Sequence, residues 1–278
     1  MSPHHPPAAG GHVGGFAATV RTDRWWAGPA LTVAVFATFI VYTTWAAFQG
    51  RHYFADPYLS PFYSPVLFTE LSAPGSAPLE HAWFGAWPAW WPAFLPVSPA
   101  LFILVFPGSF RFTCYYYRKA YYRSVGGSPP GCGVGPLPKH KYQGEATLFL
   151  FQNLHRFALY FALLFIPLLY WDAFHAFFRQ GEFGVGVGTI VLLVNASLLA
   201  GYTFGCHSLR HLVGGREDCM SCGKNTVTLG VWKKVSWFNA RHMAFAWFSL
   251  FWVMLTDVYV RLVSMGVITD LNTWTNKL

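Results

Sequence analysis

The amino-acid sequence predicts an all-α fold, an integral membrane bundle of five transmembrane helices with the N-terminus in the cytoplasm and the C-terminus outside. Three observations support this fold class. The 278 residues are 54% hydrophobic and only 11% charged, whereas soluble globular chains carry roughly 25% charged residues. Several apolar stretches reach the roughly 20 residues that a helix needs to cross a bilayer. Positive charges gather on alternate connecting segments, as the positive-inside rule requires.

Five stretches are long and apolar enough to be predicted as membrane spans. The first contains no charged residue, and the second contains Pro107-Gly108, which should kink or break its helix. The fifth carries Asp257 and Arg261, spaced to pair at i,i+4 on one helix face. The spans are predicted at 25–50, 96–117, 147–171, 183–212 and 239–263.

The distribution of charge sets the predicted orientation. Of the 19 Lys and Arg residues, 15 lie before span one, between spans two and three, or between spans four and five, when Arg111, Arg156, Arg210 and Arg241 in the adjoining parts of the spans are counted with them. Positive-inside reasoning places these segments in the cytoplasm. A row of tryptophans before span two is typical of an outer membrane interface. It consists of Trp83, Trp87, Trp90 and Trp91.

Two regions are predicted within this topology. Residues 1–24 are rich in Gly, Pro and His and are interpreted as a flexible cytoplasmic tail, while 25–278 form one five-helix membrane domain. The net charge of +8 fits cationic loops beside anionic lipid better than nucleic-acid binding, because no basic soluble domain is present. The five cysteines lie in or beside reducing cytoplasm, so structural disulfides are not expected. A membrane that the chain crosses several times is the predicted location.

Four histidines on three spans share one predicted depth near the cytoplasm, and they are candidates for metal ligands. They are His155, His207, His211 and His242. His207 and His211 are i,i+4 neighbours, so both rings project from one helix face. Shortly afterwards Cys219 and Cys222 form a C-x-x-C motif that can place two thiolates on one iron or zinc.

Several centres suit these residues, and the sequence leaves them open. Two histidines on one iron and two cysteines on the other form the ligand set of a Rieske-type 2Fe–2S cluster. Two histidines on facing helices would suit haem b, and zinc accepts the same four ligands as the cluster. A non-redox transporter and a purely structural anchor are the remaining interpretations. A transporter should carry polar groups across the whole bilayer, and few lie in the middle of these spans.

The run from Arg111 to Arg123 alternates tyrosines with cations at a predicted membrane border. Such a run can anchor a helix among lipid headgroups. It is also suited to a docking surface for a cytoplasmic partner and to a quinone-headgroup site, because quinone carbonyls need hydrogen-bond donors inside an apolar slot. The candidate quinone-binding residues are Tyr115, Tyr116, Arg118, Arg156 and Trp237.

At these residues the sequence resembles the membrane anchors, of cytochrome b type, that belong to actinobacterial succinate dehydrogenase, respiratory complex II. The resemblance covers roughly residues 21–270. It rests on several long motifs: 112–123 (FTCYYYRKAYYR), 128–132 (SPPGC), 142–145 (YQGE), 152–156 (QNLHR), 206–215 (CHSLRHLVGG), 218–222 (DCMSC) and 257–262 (DVYVRL).

The resemblance implies a membrane subunit of the tricarboxylic acid cycle enzyme that has no succinate-oxidising site of its own. A flavoprotein would oxidise succinate, an iron–sulfur protein would relay the electrons, and this chain would pass them to quinone, expected to be menaquinone. Association of several copies of the complex stays open. Some members of this class carry a membrane-embedded Rieske-type cluster instead of haem. Local spacing favours His207, His211, Cys219 and Cys222 as its ligands; the competing set draws on His155 and His242, with Cys114 or Cys132.

Overall fold

The computed structural model describes residues 15–92, 94–137, 147–215 and 226–274. Helices dominate these residues, which confirms the predicted all-α class. Short antiparallel hairpins in the connecting segments join β1 (Phe54–Ala55) to β2 (Tyr58–Leu59) and β3 (Phe178–Arg179) to β4 (Glu182–Phe183). The helices are α1 (Ala27–Gln49), α2 (Ala100–Ile103), α3 (Val105–Thr113), α4 (Tyr115–Ser124), α5 (Leu148–His175), α6 (Val187–Phe204), α7 (His207–Gly214), α8 (Thr226–Ala240) and α9 (His242–Ser264).

Four of these helices are long and apolar enough to cross a membrane: α1, α5 from Phe149, α6 and α9. Large apolar side chains such as Ile40, Leu164 and Phe248 are more than half exposed on them. Exposed apolar surface of this extent is suited to lipid rather than to water. The predicted second span coincides with a shorter apolar stretch, Ala100–Thr113. A multi-pass helical membrane protein is therefore confirmed, whereas the five-span count and its orientation stay predictions.

Two predicted spans contain breaks. Pro107 lies in the first turn of α3, where its missing N–H is tolerated, and Leu104 between α2 and α3 keeps a helical backbone. The helix then ends at Cys114, which is extended, so this span finishes earlier than predicted. The fourth predicted span is likewise divided, because α6 ends before Gly205 and Cys206 is an extended N-cap of α7.

The described residues fall into two compact units, of which the first comprises Met1–Thr38 and Tyr115–Leu148. Within it, the backbone near Thr19 pairs in antiparallel fashion with that near Val134. Arg21 donates a 2.8 Å hydrogen bond to the carbonyl of Cys132. The part of the predicted tail that is described is therefore tied to the segment after α4.

The second unit comprises Phe39–Cys114 and Phe149–Leu278. Its interior is built on α6 and α9, where the indole of Trp252 donates to the carbonyl of Val191 at 3.0 Å. Close packing requires a residue without a side chain at Gly201, since a Cβ there would lie 2.4 Å from the ring of Phe245. Toward the C-terminal end of α9, the buried carboxylate of Asp257 accepts hydrogen bonds from three other side chains. The four side chains are here called the Asp257 network. Its members are Tyr42, Ser60, Asp257 and Arg261.

Candidate functional site

Two histidines and two cysteines come together in the second unit, at one end of the long helices. This set is called the His–Cys cluster, and it consists of Cys114, His155, Cys206 and His242. Cys114 follows the end of α3 and Cys206 follows the end of α6, while His155 lies near the start of α5 and His242 begins α9. Helices that alternate in direction therefore bring four distant parts of the sequence to one level.

The cluster is arranged as two contacts, each between one imidazole and one thiol. A ring nitrogen of His155, Nε2, lies 3.1 Å from the sulfur of Cys206. Nε2 of His242 lies 3.6 Å from the sulfur of Cys114. His155, Cys114 and Cys206 are all buried, and His242 is partly buried.

Hydrogen bonding fixes the protonated nitrogen of His155. The hydroxyl of Thr113 donates its single proton to the carbonyl of Ser109 at 2.7 Å, so it can only accept from the imidazole. It lies 2.9 Å from Nδ1 of His155, which must therefore carry the proton. The lone pair of Nε2 is left facing Cys206. This is the form in which histidine binds a metal, with the other nitrogen donating to a supporting oxygen.

Aromatic rings surround the two imidazoles and connect them. The ring of Phe110 stacks on His155 with centroids 4.7 Å apart, and the ring of Tyr202 stacks on His242 at 4.9 Å. Phe110 and Tyr202 are themselves in edge contact at 5.3 Å. The second nitrogen of His242, Nδ1, is buried and has no hydrogen-bond partner among the described residues. The two imidazoles therefore lie in an apolar, water-poor setting.

The described residues contain no group of three or more His, Cys, Asp or Glu side chains placed for a single metal ion. The four side chains of the His–Cys cluster meet as two separate imidazole–thiol contacts.

The ligand set favoured by local spacing lies elsewhere. His207 and His211 do share one face of α7, with their Nε2 atoms 3.2 Å apart, but both rings are exposed. Partial burial, together with His211 and Arg210, lowers the pKa of His207. Cys219 and Cys222 lie outside the described residues. That assignment stays a prediction.

The predicted quinone-binding residues are divided between the two units. In the first unit, Tyr115 is exposed and Arg118 is buried, with its guanidinium 5.8 Å from the tyrosine ring; Tyr116 is partly buried. In the second unit, Arg156 on α5 is exposed, and Trp237 on α8 is half exposed beneath the guanidinium of Arg241. Their joint role stays a prediction.

Sequence reasoning missed the residues that support the cluster, namely Phe110, Thr113 and Tyr202, and it did not include Cys206 among the ligands. One signal was available. Phe110, Thr113 and Cys114 stand at i, i+3 and i+4, a spacing that places them on one side of a helix. The contacts of that side with α5, α6 and α9 are tertiary and leave no local pattern.

Comparisons with known proteins agree on one family. A family model described as actinobacterial succinate dehydrogenase subunit SdhC matches residues 27–266, a range that includes the described helices α1 to α9. A chain of the Mycobacterium smegmatis Sdh1 complex in the apo form is similar in structure, with a TM-score of 0.79 and 42% sequence identity over 93% of this chain and 94% of that one. None of the curated proteins compared matches.

Proposed function

Because the chain belongs to the family of actinobacterial succinate dehydrogenase SdhC subunits, we propose that it passes electrons to quinone as the membrane anchor of a succinate:quinone oxidoreductase. Its partners are the flavoprotein and iron–sulfur subunits of that enzyme, and the succinate-oxidising site is on the flavoprotein. The proposal draws on the family match and on the similarity to a chain of the Sdh1 complex. The bacterial membrane is the location that the apolar helices require.

The proposed topology has five spans, with the N-terminus in the cytoplasm and the C-terminus outside. Ala100–Thr113 supplies the fifth span beside the four longer helices. The segments predicted to lie in the cytoplasm, together with the adjoining parts of the spans, hold 15 of the 19 Lys and Arg residues, which supports this orientation. The His–Cys cluster then lies at the cytoplasmic end, where a soluble electron donor would dock.

The cluster is the proposed site of a Rieske-type 2Fe–2S centre, held by Cys114, His155, Cys206 and His242. The carrying observation is the pair of imidazole–thiol contacts, at 3.1 Å and 3.6 Å. Two histidines and two cysteines match the ligand types and number of such a centre. When bound, it would supply a one-electron carrier whose potential is raised by imidazole ligation into the range of quinones.

The residues around the cluster perform two tasks. Thr113 holds the proton of His155 on Nδ1 and so directs Nε2 toward Cys206. Phe110 and Tyr202 cover the two imidazoles and exclude water from them. The residues proposed to donate hydrogen bonds to quinone, expected to be menaquinone, are Tyr115, Tyr116 and Arg118 in the first unit and Arg156 and Trp237 in the second.

Haem b is the alternative cofactor, held by two histidines on facing helices. In this structure each imidazole faces a thiol and is covered by an aromatic ring. That arrangement favours the iron–sulfur centre.

Cofactor analysis of the purified complex tests this proposal. We expect iron and acid-labile sulfide above the amount in the iron–sulfur subunit, and no haem. His155→Ala or His242→Ala should remove that excess and reduce quinone reduction at least about 100-fold, while succinate oxidation by an artificial dye continues.

His211→Ala is the matched control, since it removes an imidazole at the same end of the helices and should keep the excess iron. A Soret band in the wild-type complex, or full iron content in His155→Ala, would reject the assignment. Loss of the excess iron in the control alone would return the ligands to the His207–His211 pair.

A further inference from the structure

We propose that Arg111 is a positioning residue of the His–Cys cluster, whose positive charge raises the reduction potential of the electron carrier held there. This inference rests on the proposed function. Arg111 lies on α3, three residues before Cys114. A lipid-headgroup anchor would extend toward the membrane surface, whereas this side chain is directed into the protein.

The hydrogen bonds of Arg111 fix its guanidinium against α9. Nη2 donates to the hydroxyl of Ser249 at 2.8 Å, and Nη1 lies 3.4 Å from the carbonyl of Ala246. Ser249 is fully buried. Because these acceptors belong to a packed helix, the cation is held in one place rather than moving freely in solvent.

A stack of three groups connects this cation to a ligand of the cluster. The guanidinium carbon lies 4.8 Å from the centre of the Tyr202 ring. That ring stacks on the imidazole of His242 at 4.9 Å, with only 16° between their planes. Arg111, Tyr202 and His242 therefore follow one another in close contact.

The sign of the effect follows from electrostatics. A carrier that accepts an electron gains one negative charge, and a fixed positive charge nearby stabilises this reduced form. Coulomb interactions are several times stronger inside a protein than in water, and salt screens buried charges much less than exposed ones. Arg111 should therefore favour electron uptake from the donor.

The test compares two replacements of Arg111 in the intact complex by a redox titration monitored by electron resonance. Arg111→Gln removes the charge but keeps hydrogen-bonding groups, while Arg111→Lys keeps the charge. At an ambient potential equal to the wild-type midpoint, Arg111→Gln should lower the ratio of reduced to oxidised carrier about tenfold, which is about 59 mV for one electron. Arg111→Lys should stay within about twofold of wild type.

Arg179→Gln is the control. Arg179 lies beyond the end of α5, and the helix between His155 and His175 alone spans about 30 Å. The control should leave the ratio unchanged. An unchanged midpoint in Arg111→Gln, or an equal fall in Arg111→Lys, would overturn the proposal, the second outcome assigning Arg111 a purely structural role.

Ser249→Ala keeps the inference testable even where Arg111→Gln prevents assembly. This variant retains the charge but releases the guanidinium from its acceptor, so the ratio should fall about twofold. No change in Ser249→Ala would count against the fixed cation. A wild-type complex without excess iron and sulfide would instead defeat the proposed function itself, so the two failures are distinguishable.

Discussion

The His–Cys cluster and the Asp257 network both bury polar side chains in the second unit, but they satisfy them differently. Asp257 is fully buried and accepts hydrogen bonds from Tyr42, Ser60 and Arg261. The guanidinium of Arg261 also donates to the carbonyls of Arg51 and Ala46. Every charge in this network has a partner within the protein, which is typical of a structural connection.

The polar groups of the His–Cys cluster are less completely satisfied. Its contacts involve sulfur, which is a weak hydrogen-bond partner, and the second nitrogen of His242 has no partner among the described residues. His242 and Asp257 both lie on α9, about 22 Å apart along the helix. The comparison teaches that two groups of buried polar side chains in one unit can differ in how fully the protein satisfies them.

The largest expected effect concerns the Asp257 network. Asp257→Ala leaves Arg261 buried without its carboxylate, which costs about 3–5 kcal/mol. We expect a large loss of thermal stability, measured on the detergent-solubilised complex. The double replacement Asp257→Leu with Arg261→Leu should be less destabilising than Asp257→Ala, because no uncompensated charge remains. Equal or greater loss in the double variant would contradict this account.

A smaller effect is expected at Thr113, which supports His155 of the His–Cys cluster. Thr113→Val preserves the shape of the side chain but removes the oxygen that accepts from Nδ1 of His155. Loss of such a supporting group reduces metal affinity about 10–100-fold, which retention of iron during titration with a chelator would measure. Thr113→Ser restores the hydroxyl and should retain iron as wild type does. Identical iron retention in all three proteins would disprove the role of Thr113.

The smallest effect sharpens the comparison through packing. A Cβ at Gly205 would lie 2.9 Å from the carbonyl of Phe238 and 3.0 Å from Nδ1 of His242. Gly205→Ala should therefore cost about 1–3 kcal/mol through overpacking, seen as a lowered melting temperature. Gly108→Ala is the matched control, because nothing lies within 4 Å of a Cβ there. An equal or greater loss in the control would show that crowding at Gly205 does not decide the result.

The sequence predicted the long helices well because each is set by a local property. Spans one, three and five were placed within a few residues of α1, α5 and α9, since apolar length alone defines them. The break at Gly205-Cys206 was missed, because an extended N-cap interrupts the helix without making the segment less apolar. Hydropathy therefore fixes where a segment is apolar, not whether its helix is continuous.

The cluster was harder to predict for a different reason. His207 and His211 attract attention because i,i+4 spacing can be read from the sequence. The contact between His155 and Cys206 joins α5 to the end of α6 and has no local signature. The position of Arg111 also has no local signature. The sequence indicates an interfacial cation, whereas in the structure its guanidinium donates a hydrogen bond to Ser249.

Separate helix ends supply all four members of the His–Cys cluster, and the last of them begins α9. A nascent chain that has not yet inserted α9 holds at most three of these donors. A centre held by all four donors would therefore be complete only once α9 has joined the other helices.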